Sequence, residues 1–128
     1  MNKKVVVTGG AGYIGSHTAV ELQNSGYDVI IIDNLSNSDI SVLDGIEKIT
    51  GRRPAFYCFD LCNRVDLDKF IVETGEFDAV IHFAAHKAVG ESVSKPLKYY
   101  YNNLVSLTNI LDAMKQNGVS SFVFSSSQ

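Results

Sequence analysis

A glycine-rich turn near the N-terminus carries the clearest chemistry in this chain of 128 residues. In Val5-Val6-Val7-Thr8-Gly9-Gly10-Ala11-Gly12-Tyr13-Ile14-Gly15, residues Gly10, Gly12 and Gly15 satisfy G-x-G-x-x-G, while Gly9, Gly12 and Gly15 satisfy G-x-x-G-x-x-G. Both readings bring a dinucleotide phosphate to a helix N-terminus. Bare backbone lets a pyrophosphate approach closely, and the N–H groups and dipole at the helix start favour its negative charge. A second candidate, Asp33, closes the apolar run Val29-Ile30-Ile31-Ile32 and follows Gly12 by 21 residues. A carboxylate at that separation accepts hydrogen bonds from an adenosine ribose diol and repels a 2′-phosphate, which selects NAD over NADP. The alternative role for Asp33 is to open a turn, since Asp-Asn pairs favour one.

The elements needed to position these groups alternate along the chain. Val5–Thr8 reads as a first strand, and Tyr13 to Ser25 as a helix ended by Gly26. Val29–Asp33 reads as a second strand. After a polar Ser/Asn turn, Val42, Leu43, Ile46 and Ile49 take helical spacing up to Gly51, with Pro54 just beyond. Ala55–Phe59 is a third strand, and Leu67, Phe70 and Ile71 suit a short helix stopping near Gly75. Ala79 to Ala85 is apolar except for His82, as expected of a parallel strand covered on both faces. Leu97, Tyr100, Leu104, Leu107, Leu111 and Met114 step by 3, 4, 3, 4, 3 and predict one apolar face of a long helix ended by Gly118. Ser121–Ser126 reads as a fifth strand. Right-handed crossovers then give a Rossmann-type doubly wound parallel sheet in the order 3-2-1-4-5, with helices on both faces.

Composition narrows the classes further. The chain is one domain's worth at most, and at 45% hydrophobic and 20% charged it has the makings of a core. A formal charge of −3 and a pI near 5.5 give no reason to expect nucleic acid or an anionic membrane surface. No apolar stretch approaches the roughly 20 residues of a spanning helix, and the N-terminus lacks a signal-peptide pattern, so a cytoplasmic location is expected. Cys58 and Cys62 have the wrong spacing and no companions for zinc or C-x-x-C redox chemistry, which points to buried or half-buried free thiols. His17, His82 and His86 lack metal-ligand spacing with nearby acids, so no metal is expected; His82 suits a local hydrogen bond.

Beyond the glycine turn, three stretches carry a family likeness: Asp33-Asn34-Leu35-Ser36-Asn37-Ser38, His82-Phe83-Ala84-Ala85-His86-Lys87-Ala88-Val89-Gly90-Glu91-Ser92-Val93, and Lys95-Pro96-Leu97-Lys98-Tyr99-Tyr100-Tyr101-Asn102-Asn103. With the terminal Ser125-Ser126-Ser127, the chain resembles the first part of the UDP-sugar 4-epimerases in the extended short-chain dehydrogenase/reductase family. The resemblance implies tightly held NAD and a UDP-sugar substrate. Gly9, Gly12 and Gly15, with Tyr13 and Ile14, would meet the pyrophosphate, and Asp33, Asn34, Leu35, Ser36, Asn37 and Ser38 would line the adenosine ribose. Asp60 and Leu61 would border adenine. Phe83, Ala84, Ala85 and Lys87 would follow the cofactor toward nicotinamide, supported by Asn102. Lys87, Ala88 and Val89 would touch the nucleotide-sugar, and Ser127, the one catalytic candidate, would share a proton with a catalytic tyrosine. Plainer roles stand beside these: a helix cap for Asp60, a solvated charge for Lys87, strand-end hydroxyls for Ser125 to Ser127.

The implied reaction interconverts UDP-glucose and UDP-galactose through a transient 4-keto sugar and NADH. It calls for a Tyr-x-x-x-Lys pair, whose lysine lowers the tyrosine pKa. Four residues after Tyr13, Tyr27, Tyr57, Tyr99, Tyr100 and Tyr101 stand His17, Ile31, Leu61, Asn103, Leu104 and Val105, and none is lysine. Residues 1–128 are therefore expected to form an NAD-binding domain that is incomplete, with the pair and the sugar-binding domain beyond Gln128, and to be inactive alone. Self-association, as a homodimer or through an exposed apolar flank, is expected as well. Two other readings remain open: part of a nucleotide-sugar 4,6-dehydratase, which Ser-Ser-Ser in place of Ser-Thr-Asp disfavours, and a non-catalytic NAD-binding module.

Overall fold

The computed structural model describes residues 3–9, 13–34, 40–83, 96–119 and 121–125. Within them run β1 (Lys4–Thr8), α1 (Tyr13–Asn24), β2 (Asp28–Asp33), α2 (Val42–Thr50), β3 (Ala55–Cys58), α3 (Arg64–Thr74), β4 (Ala79–Phe83), α4 (Pro96–Gln116) and β5 (Ser121–Ser125). The strands form one five-stranded sheet in the order β3-β2-β1-β4-β5, and every neighbouring pair is parallel. This is the doubly wound order that the alternation of elements predicts.

The sheet separates two apolar layers. On one face Val5, Val7, Val29 and Ile31 pack with Ala19 of α1 and Leu43 and Ile46 of α2. On the other, Val6, Ile30, Ile32 and Val80 pack with Leu67 and Phe70 of α3 and Ile110, Ala113 and Met114 of α4. Successive strand residues feed opposite layers, so β1 and β2 must be apolar at both parities, and their runs are continuous rather than alternating.

Local signals set the element ends. Asn63 caps α3 by accepting the Asp66 N–H at 3.2 Å. Past α1, Gly26 takes φ +94, and the Tyr27 N–H returns to the Leu22 carbonyl at 3.0 Å, which turns the chain into β2. Arg64 pairs with Asp68 one turn along α3 at 3.0 Å and joins α3 to α4 through Asp112 at 2.8 Å.

The face of α4 departs from the spacing argument. Leu97 and Tyr100 have no described side chains, but Leu104 and Leu111 are 63% and 43% exposed, while Ser106, Ile110, Ala113 and Met114 are buried. The row through Ser106, Ile110 and Ala113 has the same spacing of 4 and 3, so periodicity alone does not choose between the two, and it is this row that the sheet buries. Met114 and the partly buried Leu107 flank that row, whereas Leu104 and Leu111 fall on the outer side. Similarly, in α2 only Leu43 and Ile46 are buried, and Ile49 is 67% exposed. Both cysteines are free, but Cys58 is exposed rather than buried and Cys62 is half-buried.

Candidate functional site

The carboxyl ends of β1, β2, β3 and β4 bring the described candidates Gly9, Asp33, Asp60, Leu61 and Phe83 to one edge of the sheet. From β1 the chain crosses to β2 on one side, and β4 pairs with β1 on the other, so this edge holds the topological switch point where doubly wound sheets bind ligands.

Gly9 leaves β1 with φ +73, and its N–H donates to the Ile32 carbonyl at 2.7 Å. A Cβ placed there would lie 3.2 Å from Phe83 Cβ and 3.4 Å from the Phe83 carbonyl oxygen. The backbone sign and the packing therefore both demand glycine. Tyr13 and Ile14 open α1 directly beyond the turn, and Gly15 is buried in its first helical turn. A strand end, a constrained glycine and a helix start thus follow one another as a phosphate cradle requires.

Asp33 ends β2, half-buried, one residue past the Ile32 carbonyl that anchors Gly9. In the β2–β3 register it stands opposite Cys58. Asn34 follows, exposed. Asp60 is exposed, and its carboxylate accepts the Cys62 N–H at 2.9 Å while its carbonyl accepts the Asn63 N–H at 2.8 Å. Asp60 thus shapes the β3–α3 turn, and the cap of α3 falls to Asn63. Leu61 is built into the core, and its carbonyl receives the Asn109 side-chain amide from α4 at 2.8 Å. Phe83 is buried at the end of β4, where its Cβ and carbonyl form the floor under Gly9. Asn102 lies within α4. Gly10, Gly12, Leu35, Ser36, Asn37, Ser38, Ala84, Ala85, Lys87, Ala88, Val89 and Ser127 lie outside the described residues.

Two polar residues sit in the sheet beneath this edge. Thr8 and His82 are register partners on β1 and β4, each almost fully buried, and Thr8 Oγ1 and His82 Nδ1 share a hydrogen bond of 2.5 Å. Phe122 of β5 stacks on the imidazole, with centroids 6.2 Å apart and planes at 25°. Burial pushes the His82 pKa down to about 4, so the ring is neutral near pH 7. This hydrogen bond of His82 is not the local one that its sequence context suggests: the partner, Thr8, lies 74 residues away on the neighbouring strand. Asn109 was missed altogether. Among the described residues no group of three His, Cys, Asp or Glu side chains is placed to hold a metal ion, and no helix is long and apolar enough to cross a membrane.

The chain as a whole is similar to known proteins. A family profile described as the NAD dependent epimerase/dehydratase family matches residues 5–128. A UDP-glucose 4-epimerase of Bacillus subtilis is 54% identical over 123 residues, which is 96% of this chain and 36% of that protein. A shorter one from Klebsiella pneumoniae is 48% identical, covering 97% of this chain and 88% of its own length. The crystal structure of UDP-glucose 4-epimerase from Bifidobacterium longum, in complex with NAD+ and UDP, superposes with a TM-score of 0.90 at 47% identity, over 98% of this chain and 37% of that one. The chain thus spans little more than a third of most of the relatives it matches.

Proposed function

We propose that this chain, which belongs to the NAD dependent epimerase/dehydratase family, binds NAD as the cofactor-holding part of a UDP-glucose 4-epimerase. The observation that carries the reading is the arrangement around Gly9. A residue that only glycine can be leads from β1 into the start of α1, beside a β2 that ends in Asp33. Backbone N–H groups at the start of α1 would face the pyrophosphate, and Asp33 would accept from the adenosine ribose hydroxyls. Asp60 and the backbone at Leu61 would edge the adenine, and Phe83, packed under Gly9, would support the second half of the cofactor. NAD, when bound, supplies a reversible hydride acceptor for the sugar 4-position.

Lys87, Ala88 and Val89 belong to the same reading as contacts to a UDP-sugar, with Ser127 at the reacting hydroxyl. Because no tyrosine here is followed four residues on by lysine, these 128 residues hold the cofactor without epimerising sugar. Calorimetric titration of the purified chain tests the reading, with NADP as control. NAD is expected to bind and NADP to bind at least tenfold more weakly, because the 2′-phosphate would meet Asp33. Equal binding of both, or of neither, would overturn the assignment of Asp33 and the turn. UDP-galactose turnover by the 128 residues would refute their inactivity.

A further inference from the structure

We propose that Thr8 and His82 are positioning residues, a buried strut that sets the gap between the ends of β1 and β4 for the second half of the cofactor. The inference rests on the NAD reading above. Along the β1–β4 ladder the partners are apolar at Val5 with Ala79, Val6 with Val80 and Val7 with Ile81. Only the last register, Thr8 with His82, is polar on both sides, and it is the one directly under the site.

Apolar contact would suffice to close the sheet there, since it is non-directional and carries no penalty for an unpaired group. A hydrogen bond adds direction, because it weakens steeply away from its preferred angle. The next residue on each strand shows what that direction controls. Gly9, after Thr8, and Phe83, after His82, approach so closely that a Cβ on Gly9 would lie 3.2 Å from Phe83 Cβ. Gly9 is also tethered to β2 through the Ile32 carbonyl, and the imidazole is backed by Phe122 of β5. The strut is therefore a polar side-chain link, at the site end of the ladder, between a β1–β2 unit carrying the turn and Asp33 and a β4–β5 unit carrying Phe83. Burial keeps the imidazole neutral, with one nitrogen able to accept and the other to donate, so the bond with the hydroxyl closes in either tautomer.

The test compares NAD with AMP, which lacks the nicotinamide mononucleotide half and draws its hold from the β1–β2 unit. Thr8→Val keeps the shape and removes the hydroxyl. It is expected to weaken NAD binding about tenfold, the loss of one directed hydrogen bond, and to leave AMP binding unchanged. Thr8→Ser restores the hydroxyl and is expected to restore NAD affinity. Unchanged NAD affinity in Thr8→Val, or an equal loss for NAD and AMP, would overturn the strut, because a purely structural role moves both or neither. If Thr8→Val does not fold, His82→Leu is read by the same two titrations. Failure of the unsubstituted chain to bind NAD would instead sink the cofactor reading and the strut with it.

Discussion

Gly9 and Asp33 are the two residues on which the proposed cofactor reading leans most heavily. Replacing Gly9 by alanine forces a side chain into positive φ, at about 1–2 kcal/mol, and pushes its Cβ against Phe83. Gly9→Ala is therefore expected to lower the thermal midpoint by several degrees and to abolish detectable NAD binding, both measurable on one preparation. Asp33→Asn keeps the shape of the β2 end and removes its charge. It is expected to narrow the preference for NAD over NADP at least tenfold, read from the ratio of the two dissociation constants. Both residues were legible in the sequence, because a glycine turn after an apolar run and an acid at the end of the next one are local patterns. Thr8 paired with His82, and Asn109 supporting Leu61, were not. Their partners lie 74 and 48 residues apart, and no local periodicity encodes such a meeting.

Among the elements, α4 is where pattern and packing part. The heptad-like leucine spacing is real, but the sheet buries a row that includes a serine, Ser106, and leaves Leu104 and Leu111 outside. Spacing alone scores apolar side chains and passes over a buried hydroxyl, so it names the helix correctly and tilts its face. The outward leucines give the expected self-association a location. Sedimentation of the 128-residue chain at high concentration is expected to show a dimer or larger species, and Leu104→Glu with Leu111→Glu is expected to shift it toward monomer while leaving the fold intact. A clean monomer for the unsubstituted chain would remove that role from the exposed flank. The strands were easier to read, because burial on both faces leaves the apolar runs of β1 and β2 nothing else to be.

For the molecule as a whole, His82 ties stability to pH. Its pKa is lowered from 6.5 to about 4 by burial, so between those values the unfolded chain binds the proton and the folded one does not. The stabilisation is complete above about pH 6.5 and is lost as the pH falls toward 4, by at most about 1.4 kcal/mol per pH unit. Urea midpoints at pH 7, 6 and 5 are expected to decline, and to decline less in His82→Gln, which has no proton to take up. The fold class was the most legible property, since five short strands alternating with helices leave few topologies once crossovers are right-handed. The resulting strand order also divides the candidate site in time. β1 meets β2 across 24 residues, Lys4 opposite Asp28, whereas Thr8 meets His82 across 74. Chain closure over the longer span costs about 1 kcal/mol more in entropy. On a growing polypeptide, the β1–β2 side of the candidate cleft, with Gly9 and Asp33, can thus be assembled before β4, which brings Phe83, has been synthesised.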